Sequence, residues 1–408
     1  MAYKKIIVEP SETMFKLDEP LGSQFQGLAK RVEKRNIGVI DLGRINIAFP
    51  DKLKSLLKIE NSQIWGDSEN QAEFELKLQT KIAAWLKSDY EIDIDPEKEM
   101  LLTTGNTPGM FMAFMSILDR HSKVIIPEPS FSLYKSCAMA CGAAVDTYLV
   151  SEITDFMPNL EKIKSTLDQK TKAIVVNYPH NPTSKGVDLK FYNKLSNFAR
   201  KHNVIVLADS VYLMHGDNGF SHPLYLQSEN GKATGLELIT FSFLFNLPAF
   251  KVGIALGHRD FISPLRKFRA AFNFIPSVFD IEIADCLMSE RETIYNYFAD
   301  KFAHNRQIVY EELDKLGWEY LSSNYAPFVW IKLPNRRRVA INFCRMLLKR
   351  TGVLLLPGSF FGEEGEGFIR LALGQPTETL IEAFKRINNF NKIYKVPKRI
   401  KSRKKSDG

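Results

Sequence analysis

The sequence predicts an α/β protein with a three-layer large domain, built on a mainly parallel sheet, and a smaller α+β domain. The first observation is a series of short apolar runs of strand length, without polar alternation, after residue 100. The second is that longer helical patterns separate several of these runs, for example over 187–202. Apolar strands joined by helices are typical of a parallel sheet covered on both faces. The runs lie at 124–127, 173–177, 204–208, 236–241 and 252–256.

Four segments follow one another along the chain. We expect residues 1–59 to form an N-terminal arm and part of the small domain, with a strand near 39–42 and no strong helix. An amphipathic helix over 73–87 lies in the large domain, which we place at 60–285. The alternation of apolar runs and helical segments changes after residue 290, and we place the small C-terminal domain at 286–391. Its predicted helices lie at 290–316, at 340–350 and from Thr377, and its strands at 328–333, 353–356 and 368–373.

The composition is that of an ordinary globular protein, with 45% hydrophobic and 25% charged residues. The first ten residues are not followed by an apolar run of signal-peptide length, and no apolar run reaches membrane-spanning length. We therefore expect a soluble, cytoplasmic protein that does not bind membranes. The four cysteines are too few for a disulfide framework. Cys137 and Cys141, four residues apart, have no supporting ligand for zinc, so no metal site is expected.

A basic tail ends the chain. Residues 392–408 contain eight lysines and arginines against one acidic residue, Asp407, and account for most of the net charge of +8. Such a segment, interrupted by Pro397, is expected to be disordered. It could contact nucleic acid, but it lacks interleaved aromatic residues apart from Tyr394, so a solvated tail is the favoured interpretation.

A glycine-containing turn at 103–109, TTGNTPG, precedes an apolar helical run. Thr107 can cap that helix, and Pro108 suits its first position. The N–H groups and dipole of a helix N-terminus favour a bound phosphate. Many helices begin in this way, so the turn alone leaves a purely structural interpretation open.

Polar residues follow two of the predicted strands. Asn181 comes shortly after the run 173–177, and Asp209 and Tyr212 follow the run 204–208. Open α/β sheets bind their ligands at the carboxyl ends of parallel strands. Each of these residues taken singly is also compatible with a turn or a helix cap. Several such signals in order are harder to explain by turns alone.

Taken in order, these signals resemble the class I/II aminotransferases, the fold-type-I pyridoxal-phosphate enzymes. The resemblance covers roughly residues 65–390. It is carried by NYPHNPTSKG (177–186), ADSVY (208–212), KVGIALG (251–257) and PGSFFGEEGEGFIRLALG (357–374). It implies the aminotransferase fold, pyridoxal 5'-phosphate as cofactor, an amino acid or 2-oxo acid as substrate, and a homodimer.

The resemblance also implies a role for individual residues. Asp209 would pair with the pyridine nitrogen, and Arg370 would bind the substrate carboxylate, for which a planar guanidinium is suited. A surface charge is the alternative for Arg370, although its position between Ile369 and Leu371 favours ligand binding. The remaining implied contacts are Gly105, Asn106, Thr107, Thr240, Ser242 and Lys251 with the phosphate, Phe131 stacked on the ring, and Asn181 and Tyr212 with the ring hydroxyl.

The departures from the family pattern lie around the cofactor. Counting back eight positions from Lys251, where the family usually has arginine, places Phe243 at the Schiff-base lysine. Trp65 stands where a tyrosine often reaches the partner subunit's phosphate, Ser184 replaces a glycine, and the segment 45–50 lacks the usual glycine. Phenylalanine cannot bond to the cofactor or carry a proton, so ordinary transamination should be impaired about 10²- to 10⁴-fold or more.

Three hypotheses follow. In the first, the protein binds pyridoxal or pyridoxamine phosphate noncovalently and acts on an amino acid or related carboxylate, with Tyr212, Lys251 or His180 as an alternative base. In the second, it is a cofactor-free member that binds a ligand or serves as an interaction subunit. In the third, the basic tail is the functional part and binds nucleic acid; only the charge run supports it.

Overall fold

Helices and strands alternate along most of the computed structural model, which describes residues 9, 11–17, 23–35, 37–45, 47–56, 71–214, 216, 221–334 and 339–394. The strands are β1 (Ile40–Asp41), β2 (Met100–Thr103), β3 (Lys123–Glu128), β4 (Ala144–Leu149), β5 (Thr171–Asn177), β6 (Ile205–Asp209), β7 (Gly235–Thr240), β8 (Gly253–Gly257), β9 (Tyr320–Leu321), β10 (Phe328–Lys332), β11 (Val353–Leu354), β12 (Leu356–Pro357) and β13 (Phe368–Ala372). The α-helices are α1 (Glu12–Lys16), α2 (Ser23–Glu33), α3 (Asp51–Lys54), α4 (Gln71–Tyr90), α5 (Asn106–Ile117), α6 (Leu133–Ala140), α7 (Leu160–Thr166), α8 (Leu189–His202), α9 (Gly231–Thr234), α10 (Phe241–Leu244), α11 (Arg259–Phe272), α12 (Val278–Ser289), α13 (Arg291–Leu316), α14 (Ala340–Thr351) and α15 (Thr377–Tyr394). Trp65 and the tail from residue 395 lie outside the described residues.

The largest sheet of the described chain has seven strands in the order β2–β8–β7–β6–β5–β3–β4. The pairs from β7 to β4 are parallel, whereas β8 is antiparallel to both β2 and β7. The predicted α/β class with a mainly parallel sheet is confirmed. The five apolar runs form β3, β5, β6, β7 and β8. The two unpredicted strands are the edges: β2 has only four residues, and β4 buries only one of its six, so neither shows a long apolar run.

Side chains of the large sheet enter two cores on its opposite faces. Val124 and Ile126 of β3 lie in a core with α5, α6 and α11, whereas Ile125 lies in a second core with α4, α8 and α12. Alternation along a strand directs successive side chains to opposite faces. Because both faces are covered by helices, the strands are apolar throughout, which made them visible in the sequence.

Two smaller sheets involve the C-terminal part of the chain. β12, β13, β10 and β9 form an antiparallel sheet in that order, and β11 pairs in parallel with β1. The prediction of one strand over 353–356 is wrong, because the chain changes sheets at Leu355. All four residues are buried, so the apolar run conceals the break. The division into domains remains a prediction.

The expectation of no strong helix in the first 60 residues is also wrong, because α2 has eleven residues. It buries Phe25 and Val32 along one narrow stripe, and the ring centroids of Phe25 and Phe360 lie 5.6 Å apart. Gly27 and several polar residues weaken the helical pattern in the sequence, so tertiary packing determines this helix. None of the described helices combines the length and apolar content that crossing a bilayer requires.

Candidate active site

The candidate site lies where β5 and β6 end side by side. Asn177 and Asp209 are the last residues of these strands and are register partners. The Asn177 Nδ2 group donates a hydrogen bond to the Asp209 backbone oxygen over 2.8 Å. The carboxyl ends of parallel strands therefore place Asp209 at the position where open sheets of this type bind ligands.

Both carboxylate oxygens of Asp209 accept hydrogen bonds. Asn106 Nδ2 donates to Oδ1 over 3.0 Å, and the Tyr134 hydroxyl donates to Oδ2 over 2.7 Å. Burial raises the pKa of Asp209 to about 6, and the two donors oppose that rise by stabilising the charged form. The carboxyl group is therefore mainly an anion at pH 7. It has the charge and position needed to pair with a protonated ring nitrogen.

Tyr134 is a residue that sequence reasoning missed. It is 1% exposed and lies in α6, three residues after Phe131. The half-buried Phe131 lies just before α6 and packs against the core of that face of the sheet. The only signal in the sequence was the short spacing between the two aromatic residues. A single sequence does not show that the tyrosine hydroxyl points at a carboxylate 75 residues further along the chain.

A chain of hydrogen bonds connects Asp209 to Arg370. Asn177 bonds the Asp209 backbone, and its Oδ1 accepts from the Asn181 N–H over 2.9 Å. Arg370 Nη1 donates to Asn181 Oδ1 over 2.7 Å, and Nη2 donates to the Gly43 oxygen over 3.0 Å. Two residues that the resemblance assigns to opposite ends of the site are thus held in one network.

Arg370 is a buried cation without an ion pair among the described residues. Its guanidinium carbon lies 4.9 Å from the Phe328 ring centroid and 4.8 Å from that of Phe361. Burial lowers the pKa of Arg370 to about 10, so the group stays charged at neutral pH. Its Nε is buried and has no hydrogen-bond partner in the described chain. A buried charge with free donors is costly unless it is paired, which makes this position a candidate anion site.

The turn before α5 lies against the Lys251 side chain. Gly105 has a φ of +94°, a conformation that favours glycine, and a Cβ placed on it would lie 3.7 Å from both Cα and Cδ of Lys251. No described side chain caps α5. The expectation that Thr107 caps this helix is wrong, because Gly105 occupies the N-cap position and Thr107 lies within the first turn. A turn with backbone N–H groups next to an ammonium group can bind a phosphate.

The remaining predicted phosphate contacts are engaged with protein groups. Thr240 Oγ1 donates to the Val252 oxygen over 3.1 Å, and Ser242 Oγ donates to the Phe250 oxygen. The Lys251 ammonium donates to the Pro248 oxygen over 2.7 Å and retains two further N–H groups. Thr240 and Ser242 therefore stabilise the turn between β7 and β8. The side chain of Asn106 donates to Asp209, and its Oδ1 is buried without a partner in the described chain.

Phe243 lies in α10, the four-residue helix that follows β7 directly. Its ring centroid is 5.1 Å from that of Tyr212, which in turn lies 5.1 Å from that of Phe328. Phe243 and Ile45 pack on the cluster formed by Val211, Tyr212, Ala326 and Phe328. An apolar ring thus stands beside the predicted hydroxyl contact, at the position where the resemblance expects lysine.

The three residues considered as replacement bases differ in protonation state and in surroundings. Burial raises the pKa of Tyr212 well above its usual value, so this residue is a proton donor at neutral pH. His180 is fully buried, shares a hydrogen bond of 2.8 Å with Thr183, and has a pKa lowered to about 3 by burial. It supports the loop after β5. Lys251 lies beside Gly105, on the side of the predicted phosphate.

Ser184 occupies a position where the resemblance expects glycine. Its φ of 63° lies in the left-handed region, which costs a non-glycine residue about 1–2 kcal/mol. Its N–H donates to the His180 oxygen over 2.7 Å, and its hydroxyl donates to the Phe328 oxygen over 2.5 Å. These bonds hold the turn in place against β10, the strand that carries the ring next to Arg370.

These donors and charges fit the ring nitrogen and the phosphate of pyridoxal phosphate. They also fit the carboxylate of a substrate bound next to the cofactor. The anionic Asp209 suits the nitrogen, and the Gly105 turn with Lys251 suits the phosphate. The unpartnered donor on Arg370 suits a carboxylate. Phe243 does not suit the aldehyde, because its side chain carries no nucleophile.

Comparisons with known proteins agree with this picture. The family described as "Aminotransferase class I and II" matches residues 51–387. The LL-diaminopimelate aminotransferase of Aquifex aeolicus is 30% identical over 311 residues, which cover 76% of this chain and 80% of the relative. That of Halothermothrix orenii is 27% identical, with 95% and 100% covered.

Solved structures share the fold. Substrate-bound BacF from Bacillus subtilis has a TM-score of 0.86 at 24% identity, with 95% of this chain and 98% of that chain covered. The aspartate aminotransferase of Thermotoga maritima has a TM-score of 0.81 at 24% identity, with 94% and 100% covered. At these identities the likeness concerns the fold alone.

Proposed function

Because the chain belongs to the aminotransferase class I and II family, whose members are pyridoxal phosphate enzymes, we propose that it binds this cofactor noncovalently. We further propose that it acts on an amino acid or the corresponding 2-oxo acid. Relatives named LL-diaminopimelate aminotransferase support a substrate of this kind. Ordinary transamination is slowed because Phe243 stands at the position of the lysine.

The observation that carries this proposal is the network from Asp209 to Arg370. The backbone oxygen of Asp209 and the buried guanidinium of Arg370 are joined through Asn177 and Asn181. A site without a ligand has no evident reason to bury the charged Arg370 with an unpartnered Nε. The fixed separation of the two charges supports a cofactor at one end and a carboxylate ligand at the other.

Within the proposed site, each residue has a defined task. Asp209 holds the ring nitrogen in its protonated form, and the cofactor then supplies the electron-withdrawing ring that weakens bonds at the substrate α-carbon. Gly105, Thr107 and Lys251 bind the phosphate, and Thr240 and Ser242 maintain the turn behind it. Asn181 and Tyr212 donate hydrogen bonds at the ring hydroxyl, and Phe131 contacts the ring face. Arg370 binds the carboxylate.

Phe243 cannot carry a proton, so the proposed site lacks the acid or base that a lysine at this position would supply. A positioned acid or base accelerates proton transfer about 10²- to 10⁴-fold. Tyr212 is adjacent but stays protonated at neutral pH, since burial raises its pKa. We therefore propose that the protein retains binding and orientation while the proton-transfer steps are slow.

Cofactor retention tests the proposal. Purified protein mixed with pyridoxal phosphate and then desalted should keep the cofactor, detected by its absorption spectrum and by titration calorimetry. The variant Asp209→Asn should bind about 10- to 100-fold more weakly, because a hydrogen bond to a charged group contributes about 1.5–3 kcal/mol. Binding to the unaltered protein should also weaken below about pH 6, where Asp209 becomes protonated.

The matched control is Asp260→Asn, which removes the charge of an aspartate that is 79% exposed on α11. It should bind the cofactor like the unaltered protein. Complete loss of pyridoxal phosphate on desalting, with no calorimetric signal, would reject the proposal and favour a cofactor-free protein. Equal binding by Asp209→Asn would show that Asp209 does not contact the ring.

We also propose that the protein is a homodimer. Family membership supports this, and so does an aromatic cluster at the end of α11. There the rings of Phe268 and Phe272 stack with centroids 4.4 Å apart, next to Phe111 and Phe274, and Phe272 is 59% exposed. An exposed aromatic cluster of this kind is typical of an interface. Light scattering should give twice the 46.6 kDa of one chain, whereas the mass of a single chain would contradict the proposal.

A further inference from the structure

We infer that the site prefers carboxylate ligands with an apolar side chain, and that Phe243 determines this preference. The inference rests on the proposed function, because it assigns a substrate class to the same site. It concerns the part of the ligand beyond the carboxylate that Arg370 would bind.

The first step is the surroundings of Arg370. Its guanidinium carbon lies over the Phe328 ring and over the Phe361 ring, 4.9 and 4.8 Å from their centroids. The polar groups that the guanidinium contacts, Asn181 Oδ1 and the Gly43 oxygen, already accept hydrogen bonds from it, so the two rings supply the apolar surface next to the carboxylate position. A ligand held there has apolar protein surface as its immediate neighbour.

The second step is the continuity of that apolar surface. The rings of Phe328, Tyr212 and Phe243 form a series with successive centroids 5.1 Å apart, and Ile45 packs against the same cluster. Phe243 and Ile45 are its half-buried members, whereas Phe328 is fully buried. The surface that remains accessible in this series is therefore apolar.

The third step concerns the charged groups around the cluster. Asp209 is held by Asn106 and Tyr134 at the cofactor end. Arg44, next to Ile45, is 52% exposed and lies 3.7 Å from Asp41, which compensates its charge. Arg306, which is 2% exposed, donates from Nη2 to the Ala326 oxygen of the cluster over 3.0 Å and from Nη1 to the Tyr325 oxygen. Against the described aromatic rings, a second carboxylate on a ligand would lose its hydration, because a ring face donates no hydrogen bond to it.

Phe243 makes the accessible surface of this aromatic series apolar. A lysine there would place an ammonium group beside Tyr212, whereas phenylalanine extends the apolar series. Each methylene group of a ligand buried against such a surface strengthens binding about fourfold. A branched or aromatic side chain would therefore bind at least about tenfold more tightly than a charged one of similar length.

Equilibrium binding of 2-oxo acids tests this inference, because they carry no amino group to react with the cofactor. Titration calorimetry on protein loaded with pyridoxal phosphate compares 4-methyl-2-oxopentanoate with 2-oxoglutarate, which is similar in length but ends in a charge. We expect the apolar acid to bind at least about tenfold more tightly than 2-oxoglutarate.

Two variants and a control assign the preference to Phe243. Phe243→Ala should reduce the ratio of the two oxo-acid affinities to less than about threefold, and Phe243→Leu should keep most of it, since the surface stays apolar. Phe198→Ala removes a half-buried ring on α8, outside the cluster, and should leave the ratio unchanged. The ranking in the unaltered protein needs no variant, so it decides even if Phe243→Ala fails to fold.

Equal or tighter binding of 2-oxoglutarate would overturn the inference. An unchanged ratio in a folded Phe243→Ala variant would overturn the role of Phe243. If the protein retains no pyridoxal phosphate, the proposed function fails. The same ranking measured on the cofactor-free protein then decides the inference separately.

Discussion

Replacing Phe243 by lysine should give the protein a covalent bond to pyridoxal phosphate that becomes permanent on borohydride reduction. The new amine would stand in α10, directly after β7 and beside Tyr212. It would supply both the nucleophile and the proton carrier that the phenylalanine lacks. We expect transamination of the preferred amino acid to rise about 10²- to 10⁴-fold, measured by formation of the 2-oxo acid.

The control for this gain is Leu247→Lys, which introduces the same group into the same turn at another half-buried position. It should neither bond to the cofactor nor raise the rate. Failure of a folded Phe243→Lys protein to form a reducible bond, while it still binds pyridoxal phosphate, would show that residue 243 does not face the aldehyde. Equal labelling of the two variants would show reaction of an exposed amine.

Replacing Arg370 by glutamine should weaken the binding of carboxylate ligands at least about 100-fold. A charge-assisted hydrogen bond contributes about 1.5–3 kcal/mol, and the guanidinium can supply two in a fork. The glutamine amide nitrogen lies near the position of the arginine Nε and does not reach Asn181 Oδ1, but the bonds from Asn181 to Asn177 and from Asn177 to Asp209 remain. Calorimetry with a 2-oxo acid measures the effect, and cofactor affinity measured in parallel should change less than about threefold.

Arg370→Lys separates charge from geometry. Lysine keeps the positive charge but not the planar fork, so it should restore only part of the affinity. The control is Arg386→Gln on α15, where the arginine is 30% exposed and pairs with Glu382. Unchanged carboxylate affinity in a folded Arg370→Gln protein would contradict the assignment of this residue.

The strands and helices that could be predicted are those that a single hydrophobic pattern in the sequence identifies. β5 and β6 are buried on both faces and appear as continuous apolar runs, and α13 is a long helix with a regular buried stripe. β4 was missed because an edge strand with one buried residue has no such run. α2 was missed because its stability depends on tertiary contacts of Phe25 and Val32.

For the site, position along the chain predicted the residues but not their partners. The sequence indicated Asp209 and Arg370 individually, but the bridge through Asn177 and Asn181 depends on side-chain orientation. The contact of Tyr134 with Asp209 likewise joins distant segments, and no spacing rule links them. The side-chain rotamer of Asn106 determines that it points toward Asp209, and the sequence does not indicate that rotamer.

The assignment of Phe243 to the lysine position comes from counting back from Lys251, and it remains a prediction. Lys251 lies against Gly105, on the side of the expected phosphate, and Phe243 lies against Tyr212. The consequence for ligand preference was not predictable, because the aromatic series from Phe243 to Arg370 combines residues from four parts of the chain.

The central claim is that this family member binds pyridoxal phosphate without a covalent bond. The most direct measurement is the intact mass of the cofactor-loaded, unaltered protein after borohydride reduction and denaturation. We predict a mass equal to that of the polypeptide alone, although the same sample before denaturation contains bound cofactor. A mass increased by one reduced cofactor, mapped to Lys251 or to any other single lysine, would contradict the account.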